Sequence, residues 1–499
     1  MPPSSPPSNR ATAPSLPAPA ELVRAVLRDA VWREAWRFLR RHLDRYVEEI
    51  VTVTQVPAPP FGEEPRARYV AQRLEALGLA VHRDPAGNVW APWPPPAPVP
   101  APGAPPPVVI SAHLDTVFPA GTPLTVRRQG RRLYAPGIGD NSTSVACLLL
   151  LAEALGTAGW APRVPVVWLF NTGEEGLGNL RGMRAFLDGC AVPPAAMLVL
   201  DGGLGMLCYR GVGSRRLRVT FTGPGGHSWK DFGQPSAIVA AGRALARLAE
   251  LPVPAAPRTT WNAGRIEGGT SVNAIAATCR LELDLRSEDG GALAELERAI
   301  RHALQAAAED EGTALTVEVI GDRPQGALPA DHPLVELVRA AMRASGVPAH
   351  DLPASTDANL PLSRGIPAVT FGVRHGDGAH TVDEYIDRAG LDRGLRLALL
   401  ALLATVRWVE ALHGVVGPGR PAAHRPTGPR PRRPDTPVPG DARGREPPAS
   451  DAASPSPSPN PDARQPSPDD PGAPSPPGGP DGREAASPPR VGRGRPGEQ

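Results

Sequence analysis

Apolar positions along the chain follow two periods. Between residues 21 and 56 they recur at helical spacing (Leu22, Val26, Leu27, Trp32, Trp36, Leu39, Leu43, Val47, Ile50), which predicts a helix ending before Pro57. A second helix is predicted over 63–77, closed by Gly78, with short strands at 80–82 and 88–91. Continuous apolar runs then appear at 108–112, 164–170 (VPVVWLF), 195–200 (AAMLVL) and 366–371 (IPAVTF). Runs without polar interruption are what strands covered on both faces require, so these four predict a buried, largely parallel sheet. Helical patterns over 143–155, 181–187 and 388–411 supply its cover. The fold class is α/β, a mixed sheet flanked by helices.

From Ser214 the period changes to two, as in Leu217, Val219 and Phe221. Helices are predicted at 235–251 and 292–308, with further strands at 259–266, 277–286 and 315–320. The order β, α, β, β, α, β is that of a ferredoxin-like α+β unit with one open sheet face, here inserted as residues 214–325. Residues 21–213 and 326–414 then form the two parts of the larger domain.

Composition sets the limits of the folded region. Residues 1–20 and 415–499 are dominated by Pro, Ser, Ala, Gly, Arg and Asp, too poor in apolar side chains to offset ordering entropy, and are expected to be disordered. The proline-rich stretch 94–107 is expected to be an exposed connection. A formal charge of +2 offers no electrostatic reason for a nucleic-acid or membrane partner. The apolar runs at 145–152 and 395–406 are too short to span a bilayer. Four scattered cysteines without a CxxC pair fit free thiols, and the N-terminus lacks a secretory pattern, so a cytoplasmic location is expected.

Three of the apolar runs end directly in an acidic or histidine-bearing segment, and the fourth is followed by one a few residues later. They lead into His113-Leu-Asp115, Asn-Thr-Gly-Glu174-Glu175, Asp201-Gly-Gly and Gly-Ala-His380-Thr, while Gly-Ile-Gly-Asp140 lies on a loop between the first two. Open α/β sheets gather ligand sites at the carboxyl ends of their strands. Carboxylates crowded there repel one another unless cations neutralise them, and imidazole with carboxylate suits Zn²⁺ or a similar divalent ion. A bridging carboxylate allows two ions, and an adjacent free carboxylate can serve as general base. His375, beside Asp377, is a local rival to His380 as a ligand.

The combined pattern His113-x-Asp115, Gly-x-Gly-Asp140, Asn-Thr-Gly-Glu174-Glu175, Asp201, Gly-Gly-His227-Ser, Gly-Gly-Thr-Ser-x-Asn273 and His380-Thr-x-x-Glu384 resembles the M20 family of dinuclear zinc peptidases and amidohydrolases over residues 57–411. The resemblance implies two divalent ions, Zn²⁺ first with Co²⁺ or Mn²⁺ as alternatives. His113, Asp140 and Asp201 would hold one, and Asp140, Glu175 and His380 the other. It further implies Glu174 as general base, Asp115 as the group orienting His113, and His227 as an oxyanion donor contributed across a homodimer interface formed by 214–325. Asn273 and Arg286 would grip the substrate carboxylate. Asn141 and Ser142 after the bridging aspartate, and Ala276, depart from the family pattern, whereas Thr356–Asn359 leans towards its peptidases. The expected function is a metal-dependent exopeptidase acting on small peptides. An N-acyl amino acid deacylase or carbamoylase using the same site is the alternative, and a non-catalytic binding protein with a proline-rich tail is the alternative of another class.

Overall fold

The order of the central sheet arises from its hydrophobic runs. In this computed structural model, which describes residues 16–94 and 105–415, eight strands pair in the order His82–Arg83, Val89–Trp93, Val166–Asn171, Val108–His113, Ala196–Leu204, Ala368–Gly372, Met206–Cys208 and His350–Asp351. The inner strands Val166–Asn171, Val108–His113, Ala196–Leu204 and Ala368–Gly372 are mutually parallel, and Val89–Trp93 runs against them. Register sets the site: Val108 lies opposite Val166 and Ala196, so His113 ends opposite Asn171, and the chain leaves both strands at one edge. The disorder expected of most of both termini, and most of the proline-rich connection, lie outside the described residues.

Alternation within the runs explains their continuous apolarity. Ile110, Trp168, Phe170, Leu198 and Leu200 face one core, packed with the Ser144–Thr157 and Leu391–Leu412 helices. Val109, Val167, Leu169, Met197 and Val199 face a smaller core formed with Met183, Phe186 and Leu187 of the Arg181–Asp188 helix. A strand with apolar neighbours on both faces has no polar positions to spare. The stretch Ile138–Thr157 is apolar enough by length and composition to cross a bilayer, but 89% of its apolar window is buried in this core. The four cysteines are unpaired.

The inserted segment has the anticipated order of elements. Strands Thr259–Gly268, Thr278–Ser287, Gly213–Thr222 and Ala314–Arg323 form an antiparallel sheet in that spatial order. Leu217, Val219, Phe221, Leu281, Leu283 and Leu285 form its buried face, packed on helices Ala237–Ala249 and Gly290–Glu311.

Two readings change. The single helix expected over 21–56 is three: Pro19–Leu27, Ala30–Arg41 and Leu43–Gln55. Asp29 accepts the N–H of Val31 and so starts a new helix, and His42 sits at φ −114° between the second and third. A side chain competing for backbone amides breaks a helix without disturbing the apolar stripe, so periodicity alone misses it. A small sheet, ordered His375–Asp377, Tyr385–Asp387, Arg132–Tyr134 and Arg127–Gln129, has no counterpart in the predicted elements, because its three-residue strands are mainly polar and too short to show an apolar period.

Leu281 is fully buried in the core of the inserted segment. Leu281→Ala should therefore cost about 2–5 kcal/mol. The check is a lower urea midpoint, with no loss of that core's cooperative unfolding expected for a substitution at exposed Arg280.

Candidate metal centre

Glu384 organises the loop that carries Asp140. Its carboxylate accepts the N–H groups of Gly137 (2.7 Å), Gly139 (2.8 Å) and Asp140 (2.8 Å), and the residue is fully buried. Burial pushes its pKa up to about 7 against these hydrogen bonds. Gly139 is required by close approach: a Cβ there would lie 2.5 Å from Cζ of Arg374 and 2.7 Å from Oε1 of Glu384. The Asp140–Asn141 peptide is cis, and the Asn141 amide donates to the Leu200 carbonyl at 2.8 Å, tying this loop to the neighbouring strand.

Asp140 then stands between two imidazoles. Its Oδ1 lies 3.1 Å from Nε2 of His113, and its Oδ2 lies 3.3 Å from Nε2 of His380. His380 Nε2 is also 3.1 Å from Oε1 of Glu175, and Asp201 completes a group with His113 and Asp140. Ligand atoms within each of the sets His113/Asp140/Asp201 and Asp140/Glu175/His380 lie within 4.8 Å of one another. A third such set is His113, Glu174 and Glu175. His380 takes a left-handed backbone, φ 68°, which turns it back over the cluster. His375 lies on an exposed strand and belongs to none of these sets.

The second layer is as ordered as the first. His113 Nδ1 donates to the Asp115 carbonyl at 3.0 Å, which turns Nε2 towards Asp140. The Asp115 carboxylate lies 3.8 Å from Nδ1 and instead accepts the N–H groups of Glu174 (3.1 Å) and Glu175 (2.7 Å). Asp115 thus orients His113 through its backbone and the two glutamates through its side chain. Fully buried Arg66 supports the same strand end, donating to the carbonyls of Leu114 (2.8 Å) and Val56 (3.0 Å). On the other side, Arg323 Nη1 donates to Oε1 of Glu174 at 3.0 Å.

Electrostatics show what the cluster lacks. Burial pushes Asp201 up to about 6, with the charge of Asp140 adding to it, and burial pushes Asp357 up to about 7. Oδ1 of Asp357 has no partner, while its Oδ2 accepts from Asn171 at 2.7 Å. Burial opposes a proton on His113, but the hydrogen bond and charge of Asp140, with Asp115 and Asp201 behind, hold the imidazole well above its ordinary range. His380 is raised to about 10, chiefly by its hydrogen bonds to Asp140 and Glu175. With its own residues alone the cluster retains protons to balance its charge. Two imidazole nitrogens and the surrounding carboxylate oxygens are a donor set that suits divalent cations, and the residues fit such a group.

His227, Asn273 and Arg286 stand apart. Among the described residues none of them hydrogen-bonds or ion-pairs with the cluster. His227 is exposed and pairs through its backbone with Ala274, and the Asn273 carbonyl accepts from Ser228 at 3.0 Å. Arg286 Nε donates to Asp284 at 2.7 Å. Sequence alone gives no role to Glu384, Arg66, Asp357 or Arg323. Glu384 carries a local signal in the His-Thr-x-x-Glu spacing and Asp357 lies in the Thr356–Asn359 segment; Arg66 and Arg323 reach the site through tertiary packing.

Comparison with known proteins gives the family. The sequence model of Peptidase family M20/M25/M40 matches residues 109–404. Acetylornithine deacetylase of Photorhabdus laumondii is 26% identical over 298 residues, covering 56% of this chain and 75% of that protein. Among solved structures, aminopeptidase PepT of Bacillus cereus superposes with a TM-score of 0.59 at 21% identity, over 72% of this chain and 98% of that one. A dinuclear metal-binding M20 peptidase of Bacillus subtilis gives a TM-score of 0.54 at 17% identity, over 74% and 99% of the two chains. A match across most of the described residues, with the clustered histidines and carboxylates inside it, means that the chain belongs to peptidase family M20/M25/M40 and is an amide-bond hydrolase of that family.

Proposed function

We propose that this hydrolase is an exopeptidase that cleaves small peptides with two divalent ions, Zn²⁺ first among them. The carrying observation is Asp140, with one carboxylate oxygen 3.1 Å from the His113 imidazole and the other 3.3 Å from that of His380. His113, Asp140 and Asp201 would hold one ion, and Asp140, Glu175 and His380 the other. Bound there, the ions would polarise the scissile carbonyl and bring the pKa of a water down towards neutrality.

The chain's own groups do the rest. Glu174 is buried, and burial pushes its pKa well above the ordinary carboxylate range against the opposing charge of Arg323. A carboxylate so placed takes the proton of the attacking water and passes it to the departing amine. Its neighbour Glu175 is committed to His380, and Asp115 holds the backbone of both.

The inserted segment supplies the remaining parts in this reading. Nδ1 of His227 accepts from the N–H groups of Trp229 (3.2 Å) and Lys230 (3.4 Å), so the proton of its neutral ring sits on Nε2, a donor suited to an oxyanion. Trp229, Phe232 and Val272 of the same segment are 88%, 90% and 102% exposed, and such large exposed apolar side chains support pairing of two copies through residues 214–325. Asn273 and Arg286 would hold the substrate carboxylate. A second reading, N-acyl amino acid deacylase, is supported by the acetylornithine deacetylase relative.

Three outcomes test these statements. On a panel of dipeptides, tripeptides and N-acetyl amino acids with added Zn²⁺, Co²⁺ or Mn²⁺, small peptides should turn over fastest; preference for the N-acetyl amino acids would establish the second reading instead. Glu174→Gln should keep both metals by elemental analysis while kcat falls about 10²–10⁴-fold, whereas Glu175→Gln should lose metal. In sedimentation the chain should run as a dimer, and Trp229→Asp with Phe232→Asp should yield monomers of reduced kcat. A monomeric wild type that is fully active would remove His227 from the mechanism.

A further inference from the structure

Arg323 is the last residue of the Ala314–Arg323 strand, at the point where the inserted segment returns to the rest of the chain. Its Nη1 donates to Oε1 of Glu174 at 3.0 Å, and its Nη2 donates to the backbone carbonyl of the same residue. Both side chains are 7% exposed. The guanidinium therefore grips one residue at both ends. Oε2 of Glu174 is left without a protein hydrogen bond among the described residues.

The surrounding contacts converge on the same loop. Arg216, on the neighbouring strand, donates to the Gly176 carbonyl. The N–H of Asp322 donates to Oδ1 of Asn179 at 2.7 Å, and Arg184 Nη2 reaches the Asp322 carbonyl at 3.5 Å. The two chain crossings are held by one amide: Nδ2 of Asn359 donates to the carbonyls of Val212 (2.8 Å) and Pro324 (2.9 Å). The sheet of the inserted segment is thereby held at its root and touches the 174–179 loop at its edge.

A plain stabilising role explains this poorly. Nε of Arg323 is buried without a partner, and a buried ion pair seldom exceeds its desolvation cost even when fully satisfied. A rigid fork that spans a carboxylate and its own carbonyl does fix side-chain torsions, which a lysine cannot do. We propose that Arg323 is a positioning residue through which the inserted segment sets the carboxylate of Glu174, keeping Oε2 turned towards the reacting water. The proposal rests on Glu174 being the general base. Displacing a catalytic group by about 1 Å can cost about 10²-fold in rate.

A double-mutant cycle separates the proposal from that premise. The proteins are the full chain, Arg323→Ala, Arg323→Lys, Glu174→Gln and the Glu174→Gln/Arg323→Ala double variant, each assayed for kcat, KM and metal content on the fastest substrate of the panel above. Arg323→Ala should lower kcat about 10²-fold with KM changed less than about threefold and metal retained, and Arg323→Lys should recover only part of the loss. In the Glu174→Gln background Arg323→Ala should cost less than about threefold, because the group it acts through is already gone. A raised KM at unchanged kcat would make Arg323 a substrate contact, and equal losses in both backgrounds would make it independent of Glu174; either overturns the proposal. Full activity of Glu174→Gln would instead overturn the base assignment. Hydrogen exchange across 174–180, which requires no turnover, should accelerate at least about tenfold in Arg323→Ala with Val108–His113 unchanged, and unchanged exchange across 174–180 would also overturn the proposal.

Discussion

Mutual repulsion among buried carboxylates is the constraint on which this structure turns. Asp115, Asp140, Glu174, Glu175, Asp201 and Asp357 approach one edge of the sheet, and all but Asp140 and Asp201 are almost wholly withdrawn from solvent. The raised pKa values of Asp201, Asp357 and Glu174 have burial as their first cause, and neighbouring carboxylates push in the same direction. Arg66, Arg323 and Arg374 stand beside these carboxylates, and two histidines are drawn towards protonation as well. A site that holds negative charge so much in excess of its own cations is built around something positive that binds from outside. Divalent ions held by imidazole and carboxylate answer that requirement.

The scaffold resists this repulsion with backbone amides. Glu384 gathers the N–H groups of Gly137, Gly139 and Asp140, and Asp115 gathers those of Glu174 and Glu175. Asp140, Glu174 and Glu175 are thus carried on loops whose amides are bound by a second acidic group behind them. Amides fixed in this way are partial positive charges that need no counterion and do not titrate, and they hold ligands in register whether or not an ion is bound. Mobility of the ligand loops would otherwise be the natural response to crowding.

What could be read from the sequence was what depends on local order. Buried strands announce themselves as VPVVWLF and AAMLVL, because a strand covered twice has no polar positions, and the residues at their ends come at once in the chain. The same logic located His113, Glu174 and Asp201 at one edge. Helix breaks at Asp29 and His42 left no trace in the apolar stripe, since they arise from hydrogen-bond competition rather than burial. Arg66 and Arg323 were invisible for a different reason: an arginine enclosed by distant carbonyls and carboxylates looks, in a chain of many arginines, like any surface charge. His380 was separable from His375 only through the motif around it, and its left-handed backbone shows why the choice mattered, because that turn brings it back over Asp140.

In the proposed reading the two adjacent glutamates take different roles. Glu174 and Glu175 have nearly equal burial, so desolvation alone cannot distinguish them. Their partners do. Glu175 faces an imidazole at 3.1 Å that already touches Asp140, which supports its proposed place among the ligands. Glu174 faces a guanidinium on one oxygen and, among the described residues, no hydrogen-bond donor on the other. A ligand needs its lone pairs committed to a cation, whereas a base needs one oxygen anchored and one free. The Asp115 carboxylate, bound to both amides, holds the two residues side by side, and an oxygen of each comes within 4.8 Å of a His113 ring nitrogen. The proposed division of labour thus rests on what each carboxylate touches, since both residues sit on a backbone fixed by the same third carboxylate.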